Sequence, residues 1–160
     1  MTTVSTLYNM IRDAWAPIPA PPAEDLQYMA WGWGEKAWRA FVDIAPMDVD
    51  ITSAGFYAAT PLLDLPPRAA AAYLGTYLLS LLRNLERQKA IGIFSDLVTR
   101  AHTITCLQLP SFWERVIRPF LSPECRDVLA QVVTIIVSEQ EALALTPEQV
   151  DTMLALASER

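Results

Sequence analysis

An uninterrupted apolar run in the middle of the chain limits what it can fold into more than any other feature. Between Arg68 and Arg83 lie fourteen residues without a single charge. A helix that spans a bilayer needs roughly 20 apolar residues, so the run predicts a buried core helix and not a membrane span. Two prolines suit the first turn, and alanines and leucines favour the interior. We therefore expect a central helix over about residues 66–88, in which Gly75 lets another backbone approach closely.

Apolar residues at helical spacing predict further helices along the rest of the chain. Two starts carry strong capping signals: Ser122 stands before a proline, and Thr146 opens a capping box with Gln149. Pro119 is expected to end the helix before it. The expected helices cover about residues 3–15, 24–31, 35–44, 112–117, 122–137 and 147 onward, and one more begins at Lys89 or Ile93 and ends at His102, before the β-branched residues 103–105.

Two segments read as extended backbone. Residues 17–22 contain four prolines and predict a polyproline-like arm. Residues 47–51 alternate apolar and acidic side chains, which is typical of a short edge strand. We therefore predict a mostly α-helical protein with a single domain over residues 1–160. It is a bundle of about six or seven helices, and one short strand pair stays open.

The overall charge restricts the class of partner. The chain has 160 residues, a net charge of −6 and a pI near 4.7. Phosphate binding needs clustered Lys and Arg, so nucleic acid is not an expected ligand, and neither is an anionic membrane. Acids exceed bases in residues 1–66 and 127–160, whereas residues 67–126 are basic overall. The acidic flanks favour a cationic protein partner, although acidity that serves only solubility is the alternative.

The sequence contains no recognisable catalytic constellation. His102 is the single histidine, and Cys106 lies one helical turn after it, whereas cysteine proteases assemble that pair from distant segments. No GxSxG or phosphate-loop motif occurs. We expect no enzymatic activity, no cofactor and no metal, with Cys106 and Cys125 as reduced thiols. Residues 1–15 do not resemble a signal peptide, so we expect a cytoplasmic protein.

A tryptophan-rich and acidic stretch is the candidate partner-binding site. Exposed aromatic side chains anchor interfaces, and carboxylates attract a basic partner. The alternatives are that the tryptophans belong to the core and that the acids are solvated surface. A metal site would need more oxygen ligands and a tight glycine turn, which are missing. The candidate partner-binding residues are Trp31, Trp33, Glu35, Asp43, Asp48, Asp50 and Asp64.

Three segments resemble a loosely defined group of small bacterial helical proteins. They are Leu65 to Leu85, with its Pro-Pro-Arg-Ala start, the pair Phe112-Trp113, and Phe120 to Leu129. Some members of such groups resemble immunity proteins of contact-dependent growth inhibition and other polymorphic toxin systems. The resemblance covers the C-terminal two thirds and implies a cytoplasmic protein that binds one cognate toxin domain. It carries no functional residues over to this chain.

The function hypothesis is therefore an immunity-type protein that binds and neutralises a basic toxin domain, such as a nuclease. Its active-site cleft would be positive because it must attract polyphosphate. Two alternatives stay open. One is a non-enzymatic scaffold or oligomer subunit, since the oligomeric state cannot be read from the sequence. The other is an enzyme that uses Asp43, Asp48 and Asp50 with a metal ion.

Overall fold

Helices make up most of the protein. The computed structural model describes residues 3–92 and 97–159, and within these ranges we find nine helices and no strand. The mostly α-helical fold is confirmed, whereas the expected six or seven helices are too few and the strand pair is absent there. The helices are α1 Val4–Trp15, α2 Gln27–Gly32, α3 Glu35–Phe41, α4 Ala54–Tyr57, α5 Pro67–Ile91, α6 Leu97–Gln108, α7 over residues 110–120, α8 Pro123–Ser138 and α9 Pro147–Ser158.

Helix α5 is the centre around which the other helices pack. The apolar run at its start is buried as the sequence predicted, and α1 and α6 pack directly on the helix. Helix α8 covers the other side of α1, and α9 packs on α8. The buried apolar side chains form one contiguous cluster. Within residues 3–92 and 97–159, no helix has both the length and the apolar character that crossing a membrane requires.

One face of α5 holds the irregular segment 41–60 in place. Three hydroxyl groups lie on this face at positions i, i+3 and i+4, and all three side chains are fully buried. Each hydroxyl donates a hydrogen bond to a main-chain carbonyl that has no partner within a helix or strand. The bonds run from Tyr73 to Phe41 (2.9 Å) and Ile44 (3.2 Å), from Thr76 to Pro46 (2.8 Å) and from Tyr77 to Ala59 (2.8 Å).

The short strand expected over residues 47–51 is wrong. A 3-10 turn, Pro46–Asp48, occupies its first half. The alternating burial that suggested a strand is present, because Val49 and Ile51 are buried whereas Asp50 is exposed. No strand lies beside it in the described part of the chain, and the Thr76 hydroxyl takes the Pro46 carbonyl instead. The alternating burial therefore comes from a 3-10 turn and the bend after it, which pack on α5 without strand pairing.

Two expected helix ends are also wrong. Helix α6 continues through residues 103–105 to Gln108, and the Thr103 hydroxyl bonds back to the Thr99 carbonyl at 2.8 Å. Of its two expected starts, Lys89 is wrong because it belongs to α5, and Ile93 lies outside the described residues. Helix α7 passes through Pro119, which has no amide N–H to donate. A π turn at Trp113–Ile117 widens the helical hydrogen-bond pattern just before this proline, so the helix continues.

Candidate functional site

Helix α2 exposes a tryptophan to solvent. Trp31 has 86% of its surface accessible, the largest exposure among the large apolar side chains described. Its helical neighbour Met29 is fully buried, so the helix has a definite inner side and Trp31 is on the other. Gly34, with φ at 87°, ends this element and turns the chain into α3. The exposure of Trp31 is thus fixed by the orientation of α2.

The side chains around Trp31 form a continuous surface, which we call the α2 face. Glu24, Gln27, Tyr28 and Trp31 follow helical spacing and are all exposed. The Tyr28 ring covers Gly32 so closely that an added Cβ there would lie 3.0 Å from Tyr28 Cε1. Tyr28 retains 49% exposure, so the α2 face carries a second exposed aromatic residue three positions before Trp31. The α2 face therefore combines two aromatic anchors with one acid.

The two other predicted residues of this region behave differently from Trp31. Trp33 is partly buried and packs against the core, and its indole N–H is buried without an acceptor among the described residues. Glu35 is exposed and pairs with Arg39 one turn later, with Nε to Oε1 at 3.0 Å. An exposed pair of this kind contributes about 0.5 kcal/mol at most. Arg39 therefore holds Glu35 only weakly.

The four predicted aspartates are all exposed but do not meet in one place. Asp43 lies near Tyr73, whose pKa it raises further, and Asp50 lies near Arg83. Tyr73 and Arg83 are ten residues apart on α5, which corresponds to about 15 Å along the helix axis. Asp48 lies on the turn between them, and Asp64 follows the 3-10 turn Pro61–Leu63. Across residues 3–92 and 97–159, no group of three His, Cys, Asp or Glu side chains could hold a metal ion.

Asp50 has a local structural role. Its carboxylate accepts hydrogen bonds from the Thr52 amide at 2.9 Å and from the Thr52 hydroxyl at 2.6 Å. These two bonds stabilise the charged form and lower the pKa of Asp50. The side chain thereby closes a turn before α4. A docking role for Asp50 would have to coexist with this turn.

The His102 and Cys106 side chains lie one helical turn apart, as their spacing predicts. Cys106 Sγ is 3.7 Å from His102 Nε2. Burial raises the pKa of the Cys106 thiol to about 12. Burial also lowers the pKa of His102, and nearby Asp64 opposes that shift. At neutral pH the pair is a neutral thiol beside a neutral imidazole, which lacks the thiolate that nucleophilic catalysis requires.

Of the α2 face, sequence reasoning identified only Trp31 as a binding residue and missed Glu24, Gln27 and Tyr28. The spacing of Tyr28 to Glu24 and Trp31 was visible, but which side of a short helix faces outward depends on what packs beneath it.

No family model, curated protein or solved structure matches this chain.

Proposed function

We propose that this protein binds a basic toxin domain through the α2 face and neutralises it. The observation that carries the proposal is the 86% exposure of Trp31. A tryptophan exposed on a helix gains little from folding, whereas tryptophan is among the residues that contribute most to binding energy at interfaces. Tyr28 beside it extends the apolar contact, and a surrounding polar rim would exclude water on docking.

Charge favours a cationic partner. Exposed carboxylates lie on the α2 face at Glu24 and along the 41–60 segment at Asp43 and Asp48. A toxin that acts on polyphosphate has a positive cleft, and a carboxylate-bearing inhibitor competes for the same field. Such complementarity raises the association rate and selects the partner. The same proposal places the protein in the cytoplasm, where a toxin that attacks nucleic acid acts.

Affinity capture from the host tests the binding. The bait is the tagged chain, and the comparison is Trp31→Ala against Phe120→Ala. Phe120 is 47% exposed on α7, so this control removes an exposed aromatic ring elsewhere. We expect one basic protein to be retained by the wild type and by Phe120→Ala. Loss of a binding anchor worth about 2 kcal/mol weakens Trp31→Ala roughly 30-fold. Equal retention by both variants would contradict docking through the α2 face.

Co-expression then tests neutralisation. The captured protein is expressed alone, with the wild-type chain and with Trp31→Ala, and growth is followed. We expect the partner alone to arrest growth, the wild type to restore it, and Trp31→Ala to restore it poorly. A partner that is harmless when expressed alone would leave binding intact and refute neutralisation.

A scaffold or oligomer subunit is the second candidate, because another exposed apolar patch exists. Ile91 at the end of α5 and Leu97 and Val98 at the start of α6 are all more than half exposed. Self-association through this patch would bury them. Light scattering of the purified chain, with Val98→Glu for comparison, tests it. A stable homo-oligomer that Val98→Glu dissociates would favour the scaffold, and a monomer would argue against it.

A further inference from the structure

A small cavity lies between α7, α8 and the end of α9. Its volume is about 140 Å³. The Trp113 and Ile117 side chains provide apolar walls, and the small side chains of Ala130 and Ala157 leave the space unfilled. This cavity is separate from the α2 face, and the proposed function makes no use of it.

Two arginines and two carboxylates, Asp127 and Glu159, line the cavity, and the two arginines differ in their partners. Arg118 forms an ion pair with Glu159 near the end of the chain. Arg126 is partly buried, and within residues 3–92 and 97–159 no carboxylate lies at ion-pair distance from it. A guanidinium has five fixed donors and stays charged at any pH relevant here. Arg126 is therefore a cation between apolar walls and the exposed carboxylate of Asp127, with which it forms no ion pair, and its donors are available to a ligand.

We propose that this cavity binds a small monocarboxylate, with the carboxylate on Arg126 and the hydrocarbon part against Trp113 and Ile117. A cavity of roughly 150 Å³ in another protein accommodates one benzene molecule, so a ligand of about six heavy atoms fits this volume. Planar, two-point recognition of a carboxylate is the strongest pairing that an arginine makes. The apolar walls disfavour a bare inorganic anion, which would lose its hydration there without compensation.

Butyrate is the probe, because it has six heavy atoms and one carboxylate. The Trp113 indole N–H donates to the Leu107 carbonyl at 2.9 Å, which makes its NMR signal a reporter in the cavity wall. Its resonance is identified by its loss in Trp113→Phe. Butyrate, the neutral isostere butyramide and butylammonium are titrated separately at constant ionic strength. We expect a saturable shift with butyrate only, with a dissociation constant of about 1 mM or below.

Variants separate the two parts of the site. Arg126→Gln should weaken butyrate about tenfold or more, while Arg115→Gln, an exposed arginine on α7 outside the cavity, should leave it unchanged. Ala130→Leu should abolish binding by filling the cavity. This test stays informative even if Arg126→Gln does not fold. Equal binding of butyramide, preference for butylammonium, or no saturable shift with butyrate would each overturn the proposal. So would unchanged affinity in Ala130→Leu.

Discussion

The indole of Trp15 lies on Gly75, so close that a Cβ at Gly75 would come within 2.5 Å of Trp15 Cγ. The ring is fully buried, and its N–H donates to the Ala71 carbonyl at 3.3 Å. The absence of a side chain at Gly75 is therefore what allows α1 to reach α5. Since α1 also packs on α8, this contact places α1 between α5 and α8 in the core.

Gly75→Ala should destabilise the protein by about 2 kcal/mol. Alanine gains about 1 kcal/mol in helix propensity, but forcing a methyl group into a packed core costs about 3 kcal/mol when the neighbour cannot move. Urea denaturation measures the difference. Gly32→Ala is the control, since its Cβ would meet only the mobile, half-exposed ring of Tyr28 at 3.0 Å. A Gly75→Ala variant as stable as the wild type would show that Trp15 can shift.

Tyr73→Phe should lower the free energy of unfolding by about 1.5 kcal/mol. The change removes a hydroxyl that bonds to the carbonyls of Phe41 and Ile44; the Phe41 carbonyl keeps the Ile44 amide as a donor, whereas the Ile44 carbonyl loses the tyrosine hydroxyl. Tyr28→Phe removes a hydroxyl from a half-exposed ring and should change stability by less than about 0.5 kcal/mol. Equal values for the two variants, again from urea denaturation, would mean that the α5 hydroxyls do not hold the 41–60 segment.

Two positions with positive φ should respond in opposite directions. Ala144 has φ at 52°, a left-handed conformation that disfavours a side chain, so Ala144→Gly should stabilise the protein by about 0.5 kcal/mol. Gly34 has φ at 87° and ψ at 170°, a region nearly restricted to glycine, and nothing lies within 4 Å of an added Cβ. Gly34→Ala should therefore cost about 2 kcal/mol through backbone strain alone. Thermal denaturation giving the same sign for both would contradict this.

Stability should fall as the pH rises above 9. The pKa of Cys106 is raised from 9.0 to about 12, so above pH 9 the unfolded chain loses a proton that the folded protein keeps. Deprotonation then favours the unfolded state by up to about 1.4 kcal/mol per pH unit. Urea denaturation between pH 7 and pH 10 measures the slope. Cys106→Ala should be less stable at pH 7, but its free energy of unfolding should fall less steeply above pH 9. An unchanged slope would show that Cys106 is not the group responsible.

Local signals in the sequence were enough to predict several elements. The apolar run predicted α5, and the caps at Ser122 and Thr146 predicted the starts of α8 and α9, because a cap bonds within its own first turn. The passage of α7 through Pro119 was not predictable in this way. It depends on a π turn, whose formation is determined by the packing of the whole helix. The local sequence signal for a π turn is weaker than the helix-breaking signal of a proline.

Longer-range contacts decided what the sequence left open. Gly75 was expected to admit another backbone, but an indole sixty residues earlier in the chain occupies the space. The 41–60 segment was hard to predict because its carbonyls are satisfied by hydroxyls about thirty residues away on α5. Burial of Trp15 and exposure of Trp31 differ for the same reason. The neighbours beneath each helix, and not its periodicity alone, determine which face is outside.

Asp48→Lys should slow association with the partner captured through the α2 face while leaving the fold unchanged. Asp48 is exposed, and reversing its charge weakens the attraction that a basic partner experiences at low ionic strength. Asp50 differs, because it bonds to Thr52, so Asp50→Lys should also reduce stability. Surface plasmon resonance at low and high salt measures the first effect, and urea denaturation the second. If Asp48→Lys slows association equally at both salt concentrations, electrostatic attraction does not drive association, even where Trp31→Ala still weakens binding. Docking would then rest on the aromatic anchors alone, and the partner would not need to be basic.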